Sequence, residues 1–300
     1  MEKLFGAIEA GGTKFVCMVA SGPERVVEET RFPTTTPDET IDRAVEFFRP
    51  YTGRGQLAAV GIGSFGPVDL DPVSPTYGFI TTTPKPGWSQ VDLRGHVARG
   101  LELPVAFDVD VVAAAIGEHA WVEANRELDP FVYVTVGTGI GVGVIANGRP
   151  LHGLIHPEAG HFPIPHDRQR DPFRGVCPYH DDCWEGLATG PSMEKRWGQK
   201  AESLPADHPG WDLEAEYLAL GIQDLVYAYS PQRIVLGGGV AQAPGLLDKV
   251  RARVRDGLNG YVHSPLVVER IEEYLVPPAL GSRSGGLGAI AMARDLLASA

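Results

Sequence analysis

Cys177, His180 and Cys183 follow one another at equal spacing, Cys-x2-His-x2-Cys. Two thiolates and an imidazole on so short a segment supply three corners of a tetrahedral metal site, and zinc is the ion such a set favours. His152, His156, His161 and His166 all precede it closely enough to supply the fourth corner, and spacing does not choose among them. Four protein ligands leave the ion no open position. Its expected role is therefore to staple an irregular insert rather than to meet substrate. Glu158 and Glu185 stand on either side of that insert. Turned inward by the staple, they would accept hydrogen bonds from the hydroxyls of a polyol. Cys17, the remaining cysteine, lies in an apolar run and reads as inert core.

Three glycine turns point to a second chemistry. Gly11-Gly12-Thr13-Lys14 exposes backbone N–H donors and adds a hydroxyl and an ammonium, which suits close approach to a phosphate. Gly137-Thr138-Gly139 offers a matching turn. Gly237-Gly238-Gly239 follows a predicted strand, where it could pass close to the base or ribose of a nucleotide. None is a Walker A loop or a complete dinucleotide fingerprint. Glu9 lies just before the first turn. A bare carboxylate would repel phosphate there, so a magnesium ion between the two is expected. Asp108 and Asp110 close a short apolar strand ahead of a helix. Either could cap that helix, but Asp110, nearer its start, is the candidate to take a proton from a sugar hydroxyl attacking a terminal phosphate.

The elements that must hold these groups are legible as alternating strands and helices. Phe5–Ala10 and Phe15–Ala20 read as strands joined by the first glycine turn, and Phe131–Val136 and Gly141–Ala146 repeat that unit around the second. Asp38–Phe48, Val111–Val122, Leu213–Tyr229 and Leu246–Leu258 have helical patterning; Leu57–Gly63, Val105–Phe107 and Arg233–Leu236 read as further strands. The stretch from His152 to Trp197 reads as irregular. Two copies of a strand–turn–strand unit predict duplicated α/β domains facing a cleft, divided into 1–117 and 118–300. The glycine-rich start of the last helix, about 286–300, allows that helix to cross back onto the first domain.

Composition bounds the partners. The chain has 300 residues and a net charge of −12, a poor basis for binding nucleic acid or an anionic membrane. Three cysteines cannot build a disulfide scaffold. No leader-like segment precedes Phe5 and no apolar run approaches about 18 residues, so a soluble, cytoplasmic protein is expected.

In order, the chain carries Gly6-Ala7-Ile8-Glu9-Ala10-Gly11-Gly12-Thr13-Lys14, Phe65-Gly66-Pro67, Thr83-Pro84-Lys85-Pro86-Gly87-Trp88, Asp108-Val109-Asp110 and Val136-Gly137-Thr138-Gly139-Ile140-Gly141. It continues with Pro157-Glu158-Ala159-Gly160-His161, the segment Cys177 to Leu187, Leu236-Gly237-Gly238-Gly239 and Gly285-Gly286-Leu287-Gly288-Ala289. Over essentially its whole length it resembles the ROK sugar kinases, nearest their bacterial fructokinase branch. The resemblance implies two ribonuclease H-like domains of the actin–Hsp70–sugar-kinase superfamily facing an interdomain cleft, and ATP-dependent phosphorylation of fructose. Mannose, glucose or an amino sugar is the alternative substrate. It further implies Asp110 as base and Gly11, Gly12, Thr13, Lys14, Thr138, Gly139 and Gly237 to Gly239 around ATP. Glu158 and Glu185 are implied near the sugar, His161 as the fourth zinc ligand, and a homodimer. Sugar-responsive regulators of the family carry a DNA-binding module ahead of the first phosphate turn, whereas Phe5 opens that strand here. The branch commonly reads Asp-Thr-Asp-Val-Asn where this chain has Asp108-Val109-Asp110-Val111-Val112, so two polar groups near the expected base are replaced by Val109 and Val112.

Overall fold

The computed structural model describes residues 3–298. The chain forms two compact units. Unit 1 takes the residues through Glu127, Pro150–His156 and those from Ala279 onward; unit 2 takes Leu128–Arg149 and Pro157–Pro278. The boundary expected at 117/118 falls inside a helix, and the chain returns to unit 1 twice.

In unit 1, β1 (Leu4–Ala10) and β2 (Lys14–Gly22) form an antiparallel hairpin and β3 (Arg25–Pro33) extends it as an edge strand. After α1 (Pro37–Thr52), β4 (Leu57–Ser64) pairs parallel to β1. The two-residue strands β5 (Phe79–Ile80) and β6 (Val91–Asp92) make a small ribbon before α2 (Leu93–Leu101). Then β7 (Val105–Val109) pairs parallel to β4 and runs directly into α3 (Asp110–Trp121). The sheet order is β3-β2-β1-β4-β7. β1 and β4 are buried almost throughout, as continuous apolar runs covered on both faces must be.

Unit 2 repeats the plan. β8 (Phe131–Val136), β9 (Ile140–Ala146) and β10 (Arg149–Pro150) precede an insert that is less irregular than expected, since it contains α4 (Trp184–Leu187) and α5 (Gly190–Trp197). There follow α6 (Gly210–Tyr229), β11 (Arg233–Gly237), α7 (Leu246–Leu258), α8 (Pro265–Val268), α9 (Ile271–Tyr274) and β12 (Leu275–Val276). Its sheet order, β10-β9-β8-β11-β12, is again third, second, first, fourth, fifth. The internal repeat read from the two glycine hairpins is thus a repeat of whole sheet connectivity.

The last helix, α10 (Ser284–Ala298), belongs to unit 1 and starts slightly before the expected residue 286; the expected residues 299 and 300 lie outside the described residues. Leu287, Ala289, Ile290 and Ala293 share a core with Phe5, Ala7, Met18 and Ala59. A methyl group on Gly288 would stand 1.6 Å from the Ala113 carbonyl oxygen, and one on Gly117 2.3 Å from that of Ser284. These glycines serve backbone-to-backbone helix packing, not a turn. The buried Glu118 carboxylate accepts hydrogen bonds from Ala279 N, Leu280 N and Ser284 Oγ at 3.1, 2.9 and 2.8 Å, fixing the entry to α10. Among the described residues no helix is long and apolar enough to cross a membrane.

Candidate active site

In unit 1 the register of the three parallel strands aligns the groups of interest. Ala10 pairs with Ser64, and Ser64 with Val109. One residue beyond this line the chain enters the Gly11 turn, the Phe65 loop and Asp110. With strands about 4.8 Å apart, the turn and Asp110 stand about two strand spacings from each other along one C-terminal edge, where open α/β sheets bind ligands.

The first turn closes through Gly11 N to Lys14 O at 3.0 Å. Thr34 holds it from outside, its Oγ1 donating to Gly11 O at 2.7 Å and its N–H to Thr13 O at 2.9 Å. Thr13 and Lys14 are exposed, and nothing lies within 4 Å of where a Gly12 methyl would be. The neighbouring Thr35 carbonyl accepts the Trp88 indole N–H at 2.9 Å. Trp88 is fully buried and packs on Phe15 and Phe65, so it ties the Thr83–Trp88 motif to the turn. The motif is visible in sequence; its target is not.

Glu9, the penultimate residue of β1, has its carboxyl against Gly285 and Gly286 at the start of α10, where the Gly286 backbone hydrogen bonds to it. Burial raises its pKa; Lys14 opposes that shift. Asp110 is half-buried at the first position of α3, and its Oδ1 accepts the Val111 N–H at 2.7 Å. Asp108 is buried and is met by His152. Val109 and Val112, where sequence comparison anticipated lost polar groups, are 5% and 0% exposed. They are core residues of the β7–α3 corner.

In unit 2 a cavity of ≈740 Å³ is lined by Gly137, Thr138, Gly239, Lys200, Trp211 and Gln242 among others. That is room for a nucleotide-sized ligand. Of the three predicted backbone contacts near β11, only Gly239 opens onto it. A methyl on Gly238, whose φ is +92°, would stand 2.3 Å from Val136 O, and one on Gly237 2.4 Å from the Tyr133 hydroxyl. Those two allow the chain to pass β8. The start of α5, Gly190-Pro191, also borders the cavity, with Gly190 N donating to Gly137 O at 2.9 Å. The signal for this missed segment is Thr189-Gly190-Pro191-Ser192: Thr189 Oγ1 accepts the Ser192 N–H, and a proline sits in the first turn.

Gly139 faces the other way. A methyl there would stand 2.5 Å from Glu185 Oε2, which accepts the Ile140 N–H at 2.9 Å. Glu185 therefore braces the second glycine turn. It also lies near Glu158, whose pKa is pushed up to about 7, first by loss of solvent around its carboxyl and then by repulsion from Glu185.

His161, Cys177, His180 and Cys183 place their donor atoms within 4.8 Å of one another. His161 Nδ1 lies 3.7 Å from Cys177 Sγ and 3.6 Å from Cys183 Sγ, and His180 Nδ1 lies 3.6 Å from Cys177 Sγ. This set could hold a metal ion. The other histidines are engaged elsewhere: His152 with Asp108, His156 beside Val68 N, and His166 between Asp171 and Asp182. The His161 backbone N–H donates to Glu158 O at 3.0 Å, so one short turn links the cluster to that acid. Elsewhere in unit 2, Arg196 pairs with Asp171, and Glu214 on α6 is buried with neither carboxyl oxygen hydrogen-bonded.

Known proteins resemble the chain along its whole length. A fructokinase of Streptococcus mutans is 43% identical over 302 residues, covering 99% of this chain and 100% of that one. A fructokinase of Zymomonas mobilis is 42% identical, covering 97% of each. The crystal structure of a ROK hexokinase from Thermus thermophilus superposes with a TM-score of 0.79 at 27% identity, covering 99% of this chain and 100% of that one. Residues 5–296 match the ROK family, and with these relatives they establish that the chain belongs to it: this is a ROK sugar kinase.

Proposed function

We propose that the protein transfers the γ-phosphate of ATP to the 6-hydroxyl of D-fructose. The observation that carries this is the level register of Ala10, Ser64 and Val109, which sets the Gly11–Lys14 turn and Asp110 on one strand edge. In this reading Asp110 accepts the hydroxyl proton as the sugar oxygen attacks phosphorus, and the β–γ bridging oxygen leaves with ADP. Lys14 and the N–H groups of the turn meet the phosphoryl oxygens. The unit 2 cavity bordered by Thr138 and Gly239 takes the nucleotide, with Gly237 and Gly238 shaping the loop behind it. Glu158 and Glu185 hold sugar hydroxyls.

A single carboxylate beside a phosphate turn suits magnesium, which keeps waters and phosphate oxygens as its other ligands; Glu9 would hold it, most simply through water. When bound, that ion neutralises charge on the transferring phosphoryl group. The His161, Cys177, His180 and Cys183 set fits structural zinc. Bond lengths of about 2.3 Å to sulfur and about 2.05 Å to nitrogen place tetrahedral S and N ligands about 3.6 Å apart, the separations found here. The fructose assignment follows the names of the relatives that match most of the chain. A homodimer is the expected assembly, checked by light scattering.

The test is a panel of fructose, mannose, glucose and an amino sugar at equal concentration with ATP, run on the wild type and D110N. Fructose should lead in kcat/KM by at least about tenfold. D110N should bind sugar yet lose turnover by about a hundredfold or more. A different leading sugar reassigns the substrate; an active D110N removes the base.

A further inference from the structure

Between β10 and the next element of unit 2, the chain lends Pro150–His156 to unit 1. Two histidines anchor this segment. His156 is buried and its Nε2 faces Val68 N at 3.5 Å, in the loop after β4. His152 Nε2 lies 3.1 Å from Asp108 Oδ2 and 3.3 Å from Oδ1, at the end of β7. The first contact falls in the loop four residues past β4, and the second on the penultimate residue of β7, two residues before Asp110.

Asp108 has a side chain only 8% exposed, while that of His152 is 35% exposed. Apart from the adjacent Val109 N–H at 2.7 Å, His152 is the hydrogen-bonding partner described for this carboxylate. The pairing raises the pKa of His152, chiefly through that hydrogen bond. A buried carboxylate deprived of its partner is driven to turn toward another donor, and at the start of α3 the Val111 N–H is already taken by Asp110. The corner has little room to absorb such a turn. Gly63 pairs opposite Asp108, and a methyl there would lie 2.7 Å from Ala113 Cβ and 3.3 Å from Asp110 Cα.

We propose that His152 is a positioning residue for phosphoryl transfer: clamped on Asp108, it fixes the β7–α3 corner that presents Asp110. It also satisfies the Asp108 carboxylate two residues from the base, so that the two acids do not compete for the donors of α3. The inference rests on Asp110 as the base.

The test uses the full-length protein with fructose and ATP, comparing H152A, H152Q, D108N and the double variant H152A/D108N. A misplaced base costs turnover rather than nucleotide binding, so H152A should lower kcat by about 10- to 100-fold with KM for ATP within about twofold. H152Q, whose amide N–H reaches the same carboxylate, should recover most of that loss. The double variant should be no worse than the poorer single one. Wild-type kcat in H152A, failure of H152Q to recover it, or losses that multiply in the double variant would overturn the proposal. If H152A does not fold, the H152Q comparison decides it. Loss of kcat in H152A alongside an active D110N would instead sink the base assignment.

Discussion

Glu185 Oε2 accepts the backbone N–H of Ile140 at 2.9 Å, so an acid from the start of α4 braces the turn between β8 and β9. The same side chain repels Glu158. It therefore acts on both the turn beside the nucleotide cavity and, through its charge, the acid proposed for sugar. E185A should raise KM for ATP and for fructose, each by about fivefold or more, whereas E158A should raise only that for fructose. An E185A variant with unchanged KM for ATP would show that the turn holds its shape without this bond.

A sugar-binding Glu158 should give the reaction a pH limb. With its pKa at about 7, it loses its charge as the medium is acidified through neutrality. If the carboxylate accepts a sugar hydroxyl, kcat/KM for fructose should fall about tenfold per pH unit below that point. Repulsion from Glu185 contributes to the upward shift, so E185Q should move the limb to lower pH. A profile with the same acid limb in E158Q would assign it to another group.

The His/Cys cluster and Glu158 share a short turn through His161 N and Glu158 O. Stripping the ion with a strong chelator should lower the melting temperature and raise KM for fructose more than KM for ATP. Metal analysis of fresh protein should find about one zinc per chain. Protein free of metal from the outset, yet fully active, would defeat the structural-zinc reading.

Glu214 makes an opposite kind of prediction, on stability. Burial pushes its pKa up to about 8 from 4.5, with Arg196 opposing. Between those values the folded chain keeps a proton that the unfolded chain releases. The protons bound in the unfolded state are then fewer than in the native state, so stability falls as pH rises through this window and the loss levels off above it. E214Q cannot ionise. Its melting temperature relative to wild type should climb by about 2–6 °C between pH 5 and pH 8.5. A constant difference would mean that Glu214 stays in one protonation state throughout.

Local chemistry was the part of this protein most legible in sequence. The Cys177–Cys183 motif, the hairpin turns and Asp110 all announce themselves through spacing or a change of period. What the sequence hides is pairing over distance. β3 reads as polar, with only Phe32 of its nine residues buried, because it is an edge strand held by its ladder to β2. His152 and Asp108 are 44 residues apart, and nothing in either neighbourhood names the other. The glycines of α10 read in sequence only as the start of a helix, but Gly288 is there because Ala113 leaves no room for a side chain. Val109 and Val112 look like losses from a polar site until burial shows them to be core.

The Gly237–Gly239 segment separates shape from contact most directly. Gly238 adopts φ +92°, and a methyl would stand 2.3 Å from Val136 O, a backbone atom of β8 that cannot move aside. G238A therefore combines backbone strain with overlap and should destabilise the protein by about 1–3 kcal/mol, lowering the melting temperature whether or not ATP is present. Gly239 has open space where its methyl would go, and that space is the cavity. G239A should leave the melting temperature of the ligand-free protein within about 1 °C of wild type. Its cost should appear as a higher KM for ATP with kcat on fructose largely kept, because the methyl occupies room meant for nucleotide. Equal thermal losses in the two variants would mean that Gly239, like Gly238, serves the fold; an unchanged KM in G239A would move the nucleotide away from this loop.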